Sequence, residues 1–279
     1  MSIKIFDCFS FFNENLILEL RIKTLWDVVD FFVVSEANRD HSGAEKPSYF
    51  DELRFDKYKS KLRRVTLDAQ AENLSGWTLE NRQRDHVAHG LYDAEPSDLI
   101  LVSDCDEIPN PSAVRDYEPK YLRGDFNQRY FSYAFNNELV LPSGKTEWFG
   151  TKITTATHFN QFFNRSATSV RSYKSNGSLR GIKRTLFRHF KTQKIENGGW
   201  HFTWIYDIKG ICSKVAASAH SEYRSTGQID PSEIERLIKN GYDLQIPSRR
   251  YRIAEIDESF PRDLVENRQH YARFFLRSL

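Results

Sequence analysis

The sequence predicts an α/β fold: a central, mostly parallel sheet flanked by helices, with an antiparallel sub-region after it. Three observations point there. The first half alternates short apolar runs with helix-like stretches, as βαβ units with right-handed crossovers do. Leu99-Ile100-Leu101-Val102 is apolar without alternation, as in a strand buried on both faces. Residues 126–141 then switch to aromatic alternation, which suits antiparallel strands.

The elements follow in order. Residues 3–8 read as a strand, and Asn13 is placed to cap a helix over 14–25. Residues 28–35, rich in Val and Phe, form the next strand, and 61–67 a weaker one. A helix over 78–92 precedes Pro96 and the strand that ends at Asp104. In the second half, Tyr130, Ser132, Ala134 and Asn136 alternate with Phe131, Tyr133 and Phe135. Turns are expected at Trp148-Phe149-Gly150 and at Gly198-Gly199-Trp200-His201. Asp230-Pro231-Ser232-Glu233 starts a helix with an Asp cap, a first-turn Pro and a Glu that completes a capping box. Gly241 ends it, and a last helix runs from about Pro261 to the C-terminus. With no linker, repeat or low-complexity tract, residues 1–279 read as a single domain. Within it, 1–110 form a nucleotide-binding part and 111–279 the part facing a second substrate.

Composition narrows the function. The 279 residues are 39% hydrophobic and 14% aromatic, enough for a sizeable core. Forty basic and 38 acidic residues leave a net charge of +2, which argues against a protein that coats nucleic acid. Cys8, Cys105 and Cys212 are too few and too scattered for a disulfide framework or a zinc site, and read as thiols in a reducing compartment. The first residues lack a signal-peptide core, and no window is apolar enough to span a bilayer. The expectation is a soluble, cytoplasmic protein, with peripheral membrane contact left open.

The chemistry centres on Ser103-Asp104-Cys105-Asp106-Glu107-Ile108-Pro109. The acids begin where the buried strand ends, at the sheet edge where open α/β proteins bind ligands. Asp104 and Asp106 are two apart and face the same way in extended backbone. Two hard oxygen donors suit Mg²⁺ or Mn²⁺ bound together with substrate phosphates. An acidic turn is the plainer alternative.

Other residues could join this edge. Arg84 shares a helix face with Val87, Ala88 and Leu91, so it needs a partner: Glu80, a nucleotide phosphate or Asp104. Asp7 and Glu36 follow strands and could accept hydrogen bonds from a ribose or base, or simply be polar surface. His201, between small and aromatic residues, could complete a metal shell or pack in the core. Trp200 and Trp204 could stack on a sugar, and Lys214 could reach a diphosphate; core packing and surface exposure are the alternatives. Glu222, in His220-Ser221-Glu222-Tyr223, is the first candidate for a general base, with Glu138 second and Glu147 third.

Taken together, these segments resemble glycosyltransferase family 17, the family of the bisecting N-acetylglucosaminyltransferase. The resemblance is carried by Phe6-Asp7-Cys8-Phe9-Ser10-Phe11-Phe12-Asn13-Glu14, residues 77–84, the acidic motif, Gly198-Gly199-Trp200-His201-Phe202 and Ser218-Ala219-His220-Ser221-Glu222-Tyr223. Leu237-Ile238-Lys239-Asn240-Gly241 and Asp257-Glu258-Ser259-Phe260-Pro261 look like bacterial-type members. It implies a GT-A fold, a UDP-GlcNAc donor, Mn²⁺ or Mg²⁺, and inversion at the transferred sugar. This chain differs from the animal enzyme in its His-Ser-Glu segment and in having no expected anchor or lumenal region. A glycan or lipid-linked saccharide acceptor is therefore expected rather than a secreted glycoprotein. A metal-dependent phosphodiesterase or nuclease and a non-catalytic carbohydrate-binding protein are the alternatives.

Overall fold

A computed structural model describes residues 2–40, 42–69, 74, 76–141, 148–174, 192–217, 230–244, 246 and 248–277, with backbone alone over 213–217. Strand β1 (Ile5–Ser10), helix α1 (Asn15–Leu25) and strand β2 (Phe31–Ala37) form the expected βαβ unit. The short α2 (Glu52–Phe55) leads into β3 (Leu62–Leu67), parallel to β2. Helix α3 (Gly76–His86) runs on into a 3₁₀ turn over Val87–Leu91, where one continuous helix was expected. Strand β4 (Leu99–Asp104) then pairs parallel with β1, setting Asp104 opposite Ser10.

Beyond β4 the sheet becomes mixed. β5 (Glu107–Pro109) and the short α4 (Pro111–Val114) precede β6 (Arg123–Ser132) and β7 (Asn137–Val140), an antiparallel pair. β8 (Trp148–Thr155) lies antiparallel between β4 and β6. Helices α5 (Ala156–Gln161) and α6 (Ala167–Ser172) follow. β9 (Thr192–Ile195) and β10 (Gly199–Thr203) both run parallel to β6, and β10 also pairs antiparallel with β5. Then come α7 (Ile208–Ala217), α8 (Pro231–Lys239) and β11 (Arg250–Ile253), which closes the order β11-β7-β6-β8-β4-β1-β2-β3. The single C-terminal helix expected is two short ones, α9 (Arg262–Glu266) and α10 (Arg268–Tyr271), broken at Asn267.

Local chemistry explains several departures. Asn13 does not cap α1; the Glu14 carboxylate accepts from the backbone N–H groups of Phe12 and Asn13 at 2.9 and 3.1 Å. Asp230 caps α8 through Ser232 N–H, whereas Glu233 pairs with Arg236 instead of closing a capping box. Both expected tryptophan turns are strands. Gly199, at φ +120°, is required because a Cβ there would lie 2.2 Å from the Ile108 carbonyl oxygen. Gly199 thus admits the β5 segment, and Gly198 makes the same room for Phe126 and Asn127 of β6.

Strand alternation divides the core. Phe6 and Cys8 face one layer with Val33, Val87 and Val102. Phe9 faces the larger layer with α1, Leu101, Phe126 and Phe202. Among the described residues no helix is long and apolar enough to cross a membrane. Cys8, Cys105 and Cys212 are free thiols.

One fully buried ion pair ties α1 to the carboxyl edge of the sheet. Arg21 donates through Nε and Nη2 to Asp7 at 2.7 and 2.6 Å and through Nη2 to Ser103 Oγ at 2.6 Å. Its Nη1 donates to the carbonyls of Asp104, Cys105 and Glu107 at 3.1, 3.2 and 2.8 Å. The guanidinium lies 4.4 Å from the Phe9 ring centroid. Arg21→Met strands the Asp7 charge, so it should cost about 3–5 kcal/mol in urea unfolding. Arg21→Met with Asp7→Leu should recover part of that loss, because the charge is gone while the Asp104 and Cys105 carbonyls still lack the Arg21 donor; Glu107 keeps Thr151 Oγ1. An unchanged midpoint in Arg21→Met would show that the pair does not hold the edge.

Candidate active site

The site grows from the turn that Arg21 grips. Asp104 ends β4, its backbone N–H donates to Glu107 Oε2 at 2.9 Å, and Phe202 N–H donates to the Asp106 carbonyl at 2.8 Å. The turn is therefore clamped by β10 on one side and α1 on the other.

Asp104 lies between two arginines. Oδ1 accepts from Arg84 Nη2 on α3 at 3.1 Å, and Oδ2 from Arg171 Nη2 on α6 at 3.1 Å. Its side chain is nonetheless 38% exposed, against 9% for Arg84 and 19% for Arg171. It is flanked by the two guanidiniums yet open to solvent. Burial works to raise its carboxyl, but the Arg171 and Arg84 charges overcome that and hold it well below the usual range. Arg171 is desolvated too, yet Asp104 and Glu107 keep its guanidinium firmly charged.

Each arginine has a second anchor. Arg84 donates to Glu80 at 2.7 Å and Asn81 at 3.3 Å, so two of the three partners expected for it are combined. Arg171 makes a forked contact with Glu107. Glu107 is fully buried and also accepts from Trp148 Nε1 at 3.3 Å. Gly150 leaves room for it, since a Cβ there would lie 2.7 Å from the Glu107 carboxyl carbon.

Asp106 turns toward His201, with Oδ1 3.4 Å from Nε2. The imidazole is sandwiched by rings: Trp148 stacks on it at 4.6 Å and 17°, and Tyr130 meets it edge-on at 4.7 Å and 89°. Its Nδ1 is buried with no hydrogen-bond partner among the described residues. Burial pushes the Tyr130 phenol up to about 12, so it remains protonated at neutral pH.

Strand register sorts the other candidates. Tyr130 pairs with His201, and His201 with Glu107, so these share a sheet face. Gln128, two residues from Tyr130, pairs with Trp148 and brings it to the same face. Phe131 is on the opposite face, and Glu138 pairs with Phe131. Glu138 is thus behind the sheet, its oxygens held by Arg129 at 2.7 Å and Arg252 at 3.0 Å. That placement argues against the base role expected for it; its carboxylate ties β7 to β6 and β11.

Trp200 is corrected on the same ground. It pairs with Arg129 on the far face, packs in the main core and donates from Nε1 to the Ser259 carbonyl at 3.0 Å. Trp204, at φ +60°, packs with Tyr130, Tyr133 and Leu139. Asp7 is fully buried with both oxygens on Arg21, out of a nucleotide's reach. Glu36 is buried as well and accepts from Lys46, Ser48 and Tyr49 N–H at 2.8–2.9 Å, which secures the segment over 46–49. The Lys214 side chain, Glu222 and Glu147 lie outside the described residues.

The sequence reading gave Arg171, Glu107 and Trp148 no role of their own in the site. Glu107 stood inside the acidic motif, but nothing local marks its inward turn. Arg171 sits in a short polar stretch with no periodicity, and only the packing of α6 on β4 brings it to Asp104.

Among the described residues no group of three or more His, Cys, Asp or Glu side chains is arranged to hold a metal. Asp106 Oδ1 and His201 Nε2 do converge, and a carboxylate with an imidazole is a donor set that suits Mn²⁺ better than Mg²⁺. Such a pair fits an ion that takes its remaining donors from substrate phosphates and water. Asp104, expected as a ligand, has both oxygens committed to arginines.

Comparison with known proteins sets this geometry in context. The β-1,4-mannosyl-glycoprotein 4-β-N-acetylglucosaminyltransferase of Homo sapiens is 25% identical over 297 residues, covering 93% of this chain and 53% of its own length. The Rattus norvegicus protein of that name is 24% identical over 302 residues, covering 95% and 53%. The chain spans about half the length of these relatives. Among solved structures, glucosyl-3-phosphoglycerate synthase from Mycobacterium tuberculosis, in complex with Mn²⁺, UDP and phosphoglyceric acid, is similar at a TM-score of 0.37 and 11% identity. That match covers 94% of this chain and 91% of that one, a loose likeness that fixes neither ligand nor mechanism. The family model for glycosyltransferase family 17 matches residues 1–161, which hold β1 to β4, the acidic turn, Arg21 and Arg84. With that match over more than half of its length, the chain belongs to glycosyltransferase family 17.

Proposed function

We propose that this chain is an inverting glycosyltransferase of the GT-A type. It moves GlcNAc from UDP-GlcNAc to a hydroxyl of a glycan or lipid-linked saccharide, with Mn²⁺ or Mg²⁺. The observation that carries the reading is the acidic turn at the carboxyl end of β4, faced by Arg84, Arg171 and His201, in a chain of this family. Residues 1–110 carry most of the donor side, joined by Arg171 and His201, and the rest of 111–279 the acceptor side. Free thiols at Cys8 and Cys105 support a reducing, cytoplasmic setting, where a lipid-linked precursor is the acceptor at hand.

Asp106 and His201 would hold the ion, with Asp104 beside them. When bound, the ion supplies positive charge to the diphosphate as it leaves. Arg84 and Arg171 add fixed positive charge at the same place, already oriented by Glu80 and Glu107. The exposure of Asp104 gives the diphosphate access. The rings of Trp148 and Tyr130 keep bulk water from His201, which matters because water competes with the acceptor. Inversion needs a base opposite the leaving group, and Glu222 takes that role; the placement of Glu138 behind the sheet favours this order.

Two outcomes test the reading. In a thermal-shift panel of nucleotide sugars with Mn²⁺, UDP-GlcNAc should raise Tm most, and EDTA should remove the rise. Asp106→Ala should lose both the rise and transfer while keeping the unliganded Tm. Stabilisation by GDP or CMP sugars alone would refute the donor. For the base, Glu222→Gln should lower kcat by about 10²–10⁴-fold with UDP affinity unchanged, as loss of proton removal does. Glu138→Gln should lower Tm instead, through the lost ion pairs to Arg129 and Arg252. Normal turnover by Glu222→Gln would send the base elsewhere.

A further inference from the structure

The two contacts of Asp104 carry an inference that rests on the proposed function and goes beyond it. The carboxylate most open to solvent at the acidic turn is also the one both arginines hold. Neither arginine depends on it for position. Arg84 keeps Glu80 and Asn81, and Arg171 keeps its fork on Glu107 and a long contact to the Gly150 carbonyl at 3.5 Å. Arg84 Nε is buried with no acceptor among the described residues, so that guanidinium has donor capacity to spare. The two forks come from separate helices, α3 and α6, and meet across one carboxylate.

Two guanidiniums about a single anion match a diphosphate better than a carboxylate. A diphosphate offers more negative charge, more acceptor oxygens and two phosphate groups, one for each fork. Release of Asp104 would also add a second carboxylate to the carboxylate–imidazole pair of Asp106 and His201.

We propose that Asp104 is the resident counter-ion of a diphosphate cradle made by Arg84 and Arg171. The arriving diphosphate displaces it from both guanidiniums, and the freed carboxylate joins the cation that accompanies the nucleotide. Diphosphate and cation then bind with positive, reciprocal coupling, because each removes a competitor of the other. Before the exchange, Asp104 is masked and the cation alone binds weakly.

Calorimetry on the full chain tests this without turnover. In EDTA, inorganic pyrophosphate and UDP should bind Asp104→Asn tighter than wild type by about tenfold or more, because the competing charge is gone and the side-chain shape is kept. A carboxylate that served the metal alone would tighten metal-free binding only through its general repulsion, well short of that factor at high salt, so unchanged or weaker binding overturns the exchange. In a second arm, wild type should bind Mn²⁺ more tightly with UDP present but not with uridine. Arg171→Gln should bind Mn²⁺ alone more tightly than wild type and show reduced coupling to UDP; an unchanged Mn²⁺ affinity overturns the proposal. Melting temperatures check the fold of each variant, and if Arg171→Gln does not fold, the Asp104→Asn arm decides. Wild type that transfers sugar and binds UDP, with Asp104→Asn unshifted, would sink the exchange alone. Wild type that binds neither UDP nor Mn²⁺ would sink the functional reading and the exchange with it.

Discussion

The grip of Arg21 on the acidic turn is the constraint on which the rest of the site depends. Without it the carbonyls of Asp104 and Cys105 would lose their donor, at a cost of about 1–3 kcal/mol each, and that of Glu107 would keep only Thr151 Oγ1. A lysine could not replace this residue, since its ammonium has three donors and no planar fork. Asp7 makes the buried cation tolerable, and Phe9 gives it a ring face. The first strand and first helix therefore set the position of residues some eighty positions later in the chain.

Once the backbone of the turn is fixed, its side chains divide the labour. Glu107 turns inward and holds Arg171 and Trp148. Asp104 stays at the solvent boundary between Arg84 and Arg171. Asp106 faces the imidazole stacked on Trp148. The three acids are adjacent in sequence but occupy three environments, and burial separates their roles more sharply than residue type does. The arginines keep Asp104 charged despite its crowded surroundings, so the edge presents both signs of charge within a few ångströms.

The far face of the same strands serves a different purpose. Trp200, Arg129, Phe131 and Glu138 lie there with Phe260 and Ser259, and they fasten β6, β7, β10 and β11 to the C-terminal segment. Period-two alternation thus converts one residue of offset, Trp200 against His201, into the difference between core and site.

Much of the fold was legible in the sequence by itself. The unbroken apolar run before Asp104 implied a doubly buried strand ending at that residue, and the β1-α1-β2 unit implied a parallel sheet. These depend on local pattern and backbone geometry, which short windows carry. The turn expected at Trp148 failed because aromatic and glycine residues suit a strand when a neighbour needs the space, and that neighbour, Glu107, is 41 positions away. Asp7 and Glu36 looked like ligand contacts because a strand-end acid has the same sequence whether it meets solvent or a buried cation. Arg21 left a faint trace, a charge among Ile17, Leu18 and Leu25 on the helix face that packs inward; Arg171 left none. The Glu80–Arg84 pair follows from helical spacing, but that Arg171 meets Asp104 and Glu107, and that Arg84 reaches Asp104 as well as Glu80, was decided by the tertiary structure, since this charge pairing acts through space between α3, α6 and the β4 edge and no period in the chain encodes it.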